Sequence, residues 1–167
     1  MSGCSAVDAV EDSGYPRSQL RTVARGFRLA IVVGVFTLAQ LEQAIRDSWS
    51  LDTAESDDNW TPENPSRGQC DITSLVVHDL LGGDLLGADV YLGGDRVEAH
   101  MWNRLSSGIE VDLTRNQFKR GEVIGEPTVR QRTPAIADPA HPRYHRYEAY
   151  LVLAQRVRHH LGLPDGA

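Results

Sequence analysis

The chain has 167 residues, 17 basic and 23 acidic side chains, a formal charge of −6 and 41% hydrophobic residues. That is one domain of ordinary size with a core of its own, too apolar to be disordered and without the basic face a nucleic-acid partner needs. Lys119 is the single lysine beside sixteen arginines, which argues against a Schiff-base lysine, and two cysteines, Cys4 and Cys70, make no disulfide framework.

Residues 1–18 are small, polar and acidic, and read as a flexible N-terminal extension in which Cys4 is an incidental exposed thiol. Residues 19–36 are a further extension whose periodicity fits a helix or a strand. Arg21, Arg25 and Arg28 precede its apolar run 29–35, the outline of a secretory signal. The run is far short of the ~20 residues that span a bilayer. No small-x-small cleavage site follows it, so the chain reads as cytoplasmic with no membrane partner.

From Thr37 the pattern becomes that of a single α+β domain, 37–167. Thr37 and Gln40 fit a capping box, and Leu38, Leu41, Ile45 and Trp49 form the stripe of a helix ending near Ser50. Residues 51–68 are rich in Asp, Asn, Pro and Ser and read as an ordered loop. A second helix is predicted over 70–81, with Ile72, Leu75, Val76 and Leu80 inward and Gly82 and Gly83 ending it. Strands then follow at 88–92, 97–105 and 109–113, an antiparallel meander turned at Gly93, Gly94 and Asp95 and at Ser106, Ser107 and Gly108. Residues 119–142 carry four prolines and little period, the profile of a lid or a disordered segment. A last helix is expected over 145–161, with Tyr147, Leu151, Ala154 and Val157 on its buried face.

Cys70 stands at the start of the second helix, where unpaired N–H groups and the helix dipole favour a thiolate. Placement alone leaves two readings, a reactive thiol or a small buried hydrophobe. A nucleophile wants an imidazole and a group to orient it. His78 lies eight residues along the same helix, roughly 12 Å away, and is out of reach. His141, His159 and His160 read as solvated, whereas His100 lies within a strand and Asp112 on the next. If 106–108 is a three-residue loop, Leu105 pairs with Ile109, Trp102 faces Asp112, and His100 sits one diagonal step from it on the same face. A two-residue Ser107–Gly108 turn puts Asp112 on the other face. For His100 and Asp112 the alternative is a surface pair.

The stretches NPSRGQCDITSLVVHDLLGGDLL and HMWNRLSSGIEVDLTRNQF, with TLAQLEQAIRDSWS and Trp60 upstream, resemble the YunG-like family of small, poorly characterised bacterial proteins. The resemblance spans roughly residues 37–118. It implies a papain-like fold, in which a helix carrying the Cys packs on a small antiparallel sheet, and it implies no particular reaction. Carried onto this sequence it points to Cys70, His100 and Asp112, with Gln69, Asn103 and Gln117 as neighbours. Papain-like and transglutaminase-like enzymes use the same order of Cys, His and Asp.

The expected chemistry is acyl transfer or amide hydrolysis on a small-molecule substrate. Cys70 attacks, His100 moves the proton, and Asp112 fixes the imidazole. The Cys70 N–H, with Gln69 or Asn64, would hold the oxyanion, and Trp60 and Trp102 would wall the pocket or pack the core. Two other readings use the same residues: acid–base cyclisation or dehydration in a biosynthetic pathway, and a non-catalytic binding module with a degenerate site. No HExxH or comparable spacing calls for a metal, and no cofactor is expected. A homodimer is open but not indicated.

Overall fold

The structure, a computed structural model, describes residues 36–55, 60–132 and 134–164. The extension 1–18 with Cys4, and all of 19–36 except Phe36, lie outside the described residues. Helix α1 spans Leu38–Ser48, α2 Cys70–Leu81 and α3 Tyr144–His160; strands β1 to β5 are Asp84–Leu92, Asp95–Arg104, Glu110–Val111, Glu122–Ile124 and Thr128–Arg130. Among the described residues this is an α+β fold: three α-helices and one small antiparallel sheet.

Helix α1 begins where its capping box sits. Thr37 Oγ1 accepts from the Gln40 N–H at 3.2 Å, and Gln40 Oε1 accepts from the Thr37 N–H at 2.8 Å. Leu41, Ala44, Ile45 and Trp49 join Ile72, Val76 and Val77 of α2 and Ala149, Leu153 and Val157 of α3 in one core. Leu38, expected inside, is 44% exposed, because the contact with α3 falls on the face centred on Leu41 and Ile45. Helix α2 is buried on two sides. Its sheet side is joined to β2 where Asn103 Nδ2 donates to the Ser74 carbonyl at 2.9 Å.

Gly82 and Gly83 end α2 at φ 69° and 87°, a region closed to most side chains. Space around Gly82 is open, but a Cβ on Gly83 would lie 2.2 Å from the Arg104 carbonyl oxygen. The chain therefore passes from α2 to β1 hard against the end of β2.

The sheet order is β3-β2-β1-β4, with β5 also on β1. The turn after Arg104 is the three-residue form: Leu105 N–H donates to the Ile109 carbonyl at 2.8 Å, and Asn103 pairs with Val111. Residues 119–142, read as a lid or a disordered segment, are in part strand. Strand β4 pairs with residues 90–92 of β1 and β5 with residues 85–87, so residues 122–130 complete the sheet. Strands of three residues are too short for alternation to register in the sequence.

The buried face of α3 also differs from expectation. It is Arg146, Ala149, Leu153 and Val157, while Leu151 is 47% exposed. An arginine at the first core position hid the true stripe. Arg146 is 1% exposed and spends its guanidinium on both oxygens of Asp71 and on the carbonyls of Thr53 and Gly68, at 2.6–3.1 Å.

Two stability predictions follow from these contacts. Gly82→Ala costs about 1–3 kcal/mol from backbone strain alone, whereas Gly83→Ala adds an overlap with backbone and is clearly the worse of the two in urea unfolding. Arg146→Met leaves Asp71 with only part of its compensation and lowers unfolding free energy by about 3 kcal/mol; a loss under about 1 kcal/mol would show the pair to be dispensable.

Candidate active site

Cys70 is the first residue of α2, and a chain of turns delivers it there: Arg67 N–H to the Asn64 carbonyl, then Gln69 N–H to the Ser66 carbonyl. Asn64 Nδ2 donates to the Gln117 carbonyl at 2.9 Å, tying this loop to the turn Arg115–Gln117. The half-buried Cys70 does not have the electrostatics expected of a helix start. Burial, then the adjacent Asp71 carboxylate, and beyond it Glu98 and Glu55, push the thiol up to about 12, with only the Met101 N–H opposing. In the resting protein the sulfur keeps its proton.

His100 is 1% exposed on β2. Its Nε2 lies 2.8 Å from Asp112 Oδ2, and its Nδ1 lies 3.1 Å from Gln117 Nε2. The other Asp112 oxygen accepts from the N–H and hydroxyl of Thr114, both at 3.2 Å. A carboxylate only accepts, so the neutral ring that fits has its proton on Nε2 and offers Nδ1 to the Gln117 amide. Trp102 stacks on the imidazole at 5.4 Å and Phe118 meets it edge-on at 4.7 Å. The ring is held on every side.

Strand alternation sets Cys70 and His100 apart. Met101 and Asn103 face α2, whereas His100 and Trp102 face the opposite side with Leu86 and Ala88. Among the described residues no hydrogen bond joins Cys70 to His100. Cys70 opens instead into a cavity of about 310 Å³ whose wall includes Arg67, Asp71, Glu98, Met101, Gln117 and Arg143. Gln117 is the link: it lines the Cys70 cavity and touches His100 Nδ1.

Other expected site residues are committed elsewhere. Gln69 occupies the N-cap position of α2 without a side-chain capping bond and gives its Nε2 to the Ser50 carbonyl at 3.0 Å, and Asn64 holds Gln117. Trp60 donates to the Pro65 carbonyl, Trp102 to Glu110, and Asn103 to Ser74. None of these five lines the cavity. Arg67, Glu98, Asp71, Glu55 and Arg143 do line it, and sequence reasoning passed over all five. Arg67 pairs with Glu98 at 2.9 Å and Glu122 at 3.1 Å; Arg143 pairs with Glu55 and Asp71. Burial, then the Glu122 charge against the opposing pull of Arg67, leaves the Glu98 carboxyl above its ordinary value. Isolated charges in strands and loops carry no spacing signal, so only the fold assembles this ring. Among the described residues no cluster of three or more His, Cys, Asp or Glu is set to hold a metal.

The profile of the YunG protein family matches residues 37–162. The chain belongs to the YunG family. The uncharacterized protein YunG of Bacillus subtilis (strain 168) is 32% identical over 84 residues, which are 49% of this chain and 64% of that protein. The chain thus covers less than two thirds of that relative's length. No solved structure matches. Among the described residues, no helix of this YunG-family chain is long and apolar enough to cross a membrane.

The thiol's environment has a consequence for stability. An unfolded thiol ionises near the ordinary 9.0, while the folded one keeps its proton to about 12. Between those values the folded state binds more protons, so unfolding free energy falls as pH rises. The contribution is intact below about 9 and lost toward 12. Urea unfolding at about pH 8 and about pH 10.5 should show a steeper loss in the parent chain than in Cys70→Ala; equal slopes would mean an unburied thiol.

Proposed function

We propose that this YunG-family chain is a cytoplasmic cysteine-dependent enzyme of papain-like plan, hydrolysing or transferring the acyl group of a small amide or ester. One observation carries the reading: Cys70 opens on a cavity shared with Gln117, whose amide meets the Nδ1 of an imidazole backed by Asp112.

In this reading the resting site is closed. The thiol is protonated and the base nitrogen of His100 is covered. A bound carbonyl that takes the Gln117 amide as its oxyanion donor would uncover Nδ1, and Cys70, at the free N–H end of α2, adds a second donor. Because Cys70 and His100 lie on different faces of β2, the thiol proton reaches Nδ1 through a water in the space the Gln117 amide vacates as sulfur bonds to the carbonyl carbon, and Asp112 stabilises the imidazolium. The carbon–nitrogen or carbon–oxygen bond breaks, and the leaving group takes the proton from His100. Water or an acceptor then attacks the thioester, giving a proton to His100 that returns to sulfur. Gln69 and Asn64, both bound elsewhere, take no part.

The test is acylation by p-nitrophenyl acetate in a Cys4→Ser background, followed by intact mass and peptide mapping. One acetyl group is expected on Cys70, none there in Cys70→Ala, and acylation slowed by about a hundredfold or more in His100→Ala. Acylation that ignores His100, or that never reaches Cys70, removes the reading.

A second reading is favoured by the pushed-up thiol, which keeps its proton near neutrality, beside a Glu98 carboxyl that burial raises above its ordinary value. Such a pair suits acid–base cyclisation or dehydration without a covalent intermediate. Turnover retained in Cys70→Ser would select it, since a hydroxyl replaces a thiol in proton transfer better than in attack. A chain that binds small molecules but turns none over would be a binding module.

A further inference from the structure

We infer that a second cavity beside the first is the subsite for an uncharged aromatic or branched aliphatic group on the substrate. It measures about 250 Å³ and is walled by Ile72, Leu75, Leu85, Met101, Tyr147 and Tyr150. The reaction rests on the reading above; the binding does not.

Position is the first argument. Asp71, Met101 and Arg143 line both cavities, so a group held here is tethered one side chain's width from Cys70. Volume is the second. Protein interiors pack with few voids larger than a water, and an apolar cavity of about 150 Å³ already takes a benzene. Together the two compartments fall within the ~300–1,000 Å³ of small-molecule sites.

Charge decides the class of ligand. Three guanidiniums reach this wall, and each is already matched: Arg132 to Asp79, Arg143 to Glu55 and Asp71, Arg146 to Asp71. A charged group would meet guanidiniums already neutralised by Asp79, Glu55 and Asp71 and, over most of the remaining wall, apolar side chains, so its charge would gain no new partner. The Tyr147 and Tyr150 rings, 5.8 Å apart, and the Arg132 guanidinium 5.3 Å over Tyr150 make a flat, stiff wall suited to a ring or a branched chain. Reactive amide or ester in the polar cavity, apolar body in this one: the substrate is amphipathic along its length.

The test compares p-nitrophenyl acetate, 4-methylpentanoate and phenylacetate, and separately titrates phenylacetamide and 4-methylpentanamide into the unreacted chain by NMR. Acylation of Cys70 by the larger esters at least about tenfold faster than by acetate is expected. Leu75→Trp or Ala137→Trp, the latter on the exposed rim, should abolish that preference and weaken amide binding while sparing acetylation. Acylation indifferent to acyl size, or amide shifts absent or confined to residues outside this cavity, overturns the subsite. Amide binding here with no ester reacting upholds the subsite and removes the cysteine reading instead.

Discussion

The interaction on which the rest depends is the buried Arg146–Asp71 pair. Asp71 follows Cys70 in the first turn of α2, and Arg146 lies in the first turns of α3, so one guanidinium joins the two helices at the end that bears the thiol. The same side chain also binds the carbonyls of Thr53 and Gly68, closing the loop between α1 and α2 over it. Burial pulls the Arg146 charge down, but the Asp71 bonds hold it above its ordinary value. An ion pair with four of its five N–H donors directed is stable at such depth; one with a missing partner is not. Helix packing and site geometry therefore stand together.

That pair also sets the chemistry available to Cys70. Asp71 is needed to hold Arg146, yet its negative charge lies beside the sulfur. Glu55 and Glu98 add to it, and their own partners, Arg143 and Arg67, are spent on them. Helix starts ordinarily lower a thiol's pKa; here carboxylates and burial reverse the effect. A neutral thiol at rest fits an enzyme that becomes nucleophilic only with substrate bound, or one that uses the proton itself.

Gln117 is what relates the two halves of the site. Its carbonyl is held by Asn64 in the loop leading to Cys70, and its amide meets His100 on the far face of β2. The turn bearing it is therefore tied to both sides of the strand.

Much of this was legible in the chain. The Thr37 capping box placed α1, Cys70 and the Gly82–Gly83 pair bounded α2, and the alternation around His100 placed β2, because each is a local signal set by backbone chemistry. The pairing of His100 with Asp112 was visible up to one choice of turn length, and the three-residue loop that settles it is a hairpin closure no local pattern dictates. The family resemblance singled out Cys70, His100 and Asp112, with Gln69, Asn103 and Gln117 as neighbours, but said nothing of their mutual distances. What only the tertiary structure decided is which face each strand residue turns to α2, that 122–124 and 128–130 pair with β1, that Arg146 rather than a leucine fills the first core position of α3, and that carboxylates from three separate segments gather near Cys70. Those outcomes arise from contacts between residues far apart in sequence, where charge balance and space are set by the packed chain and leave no period to read.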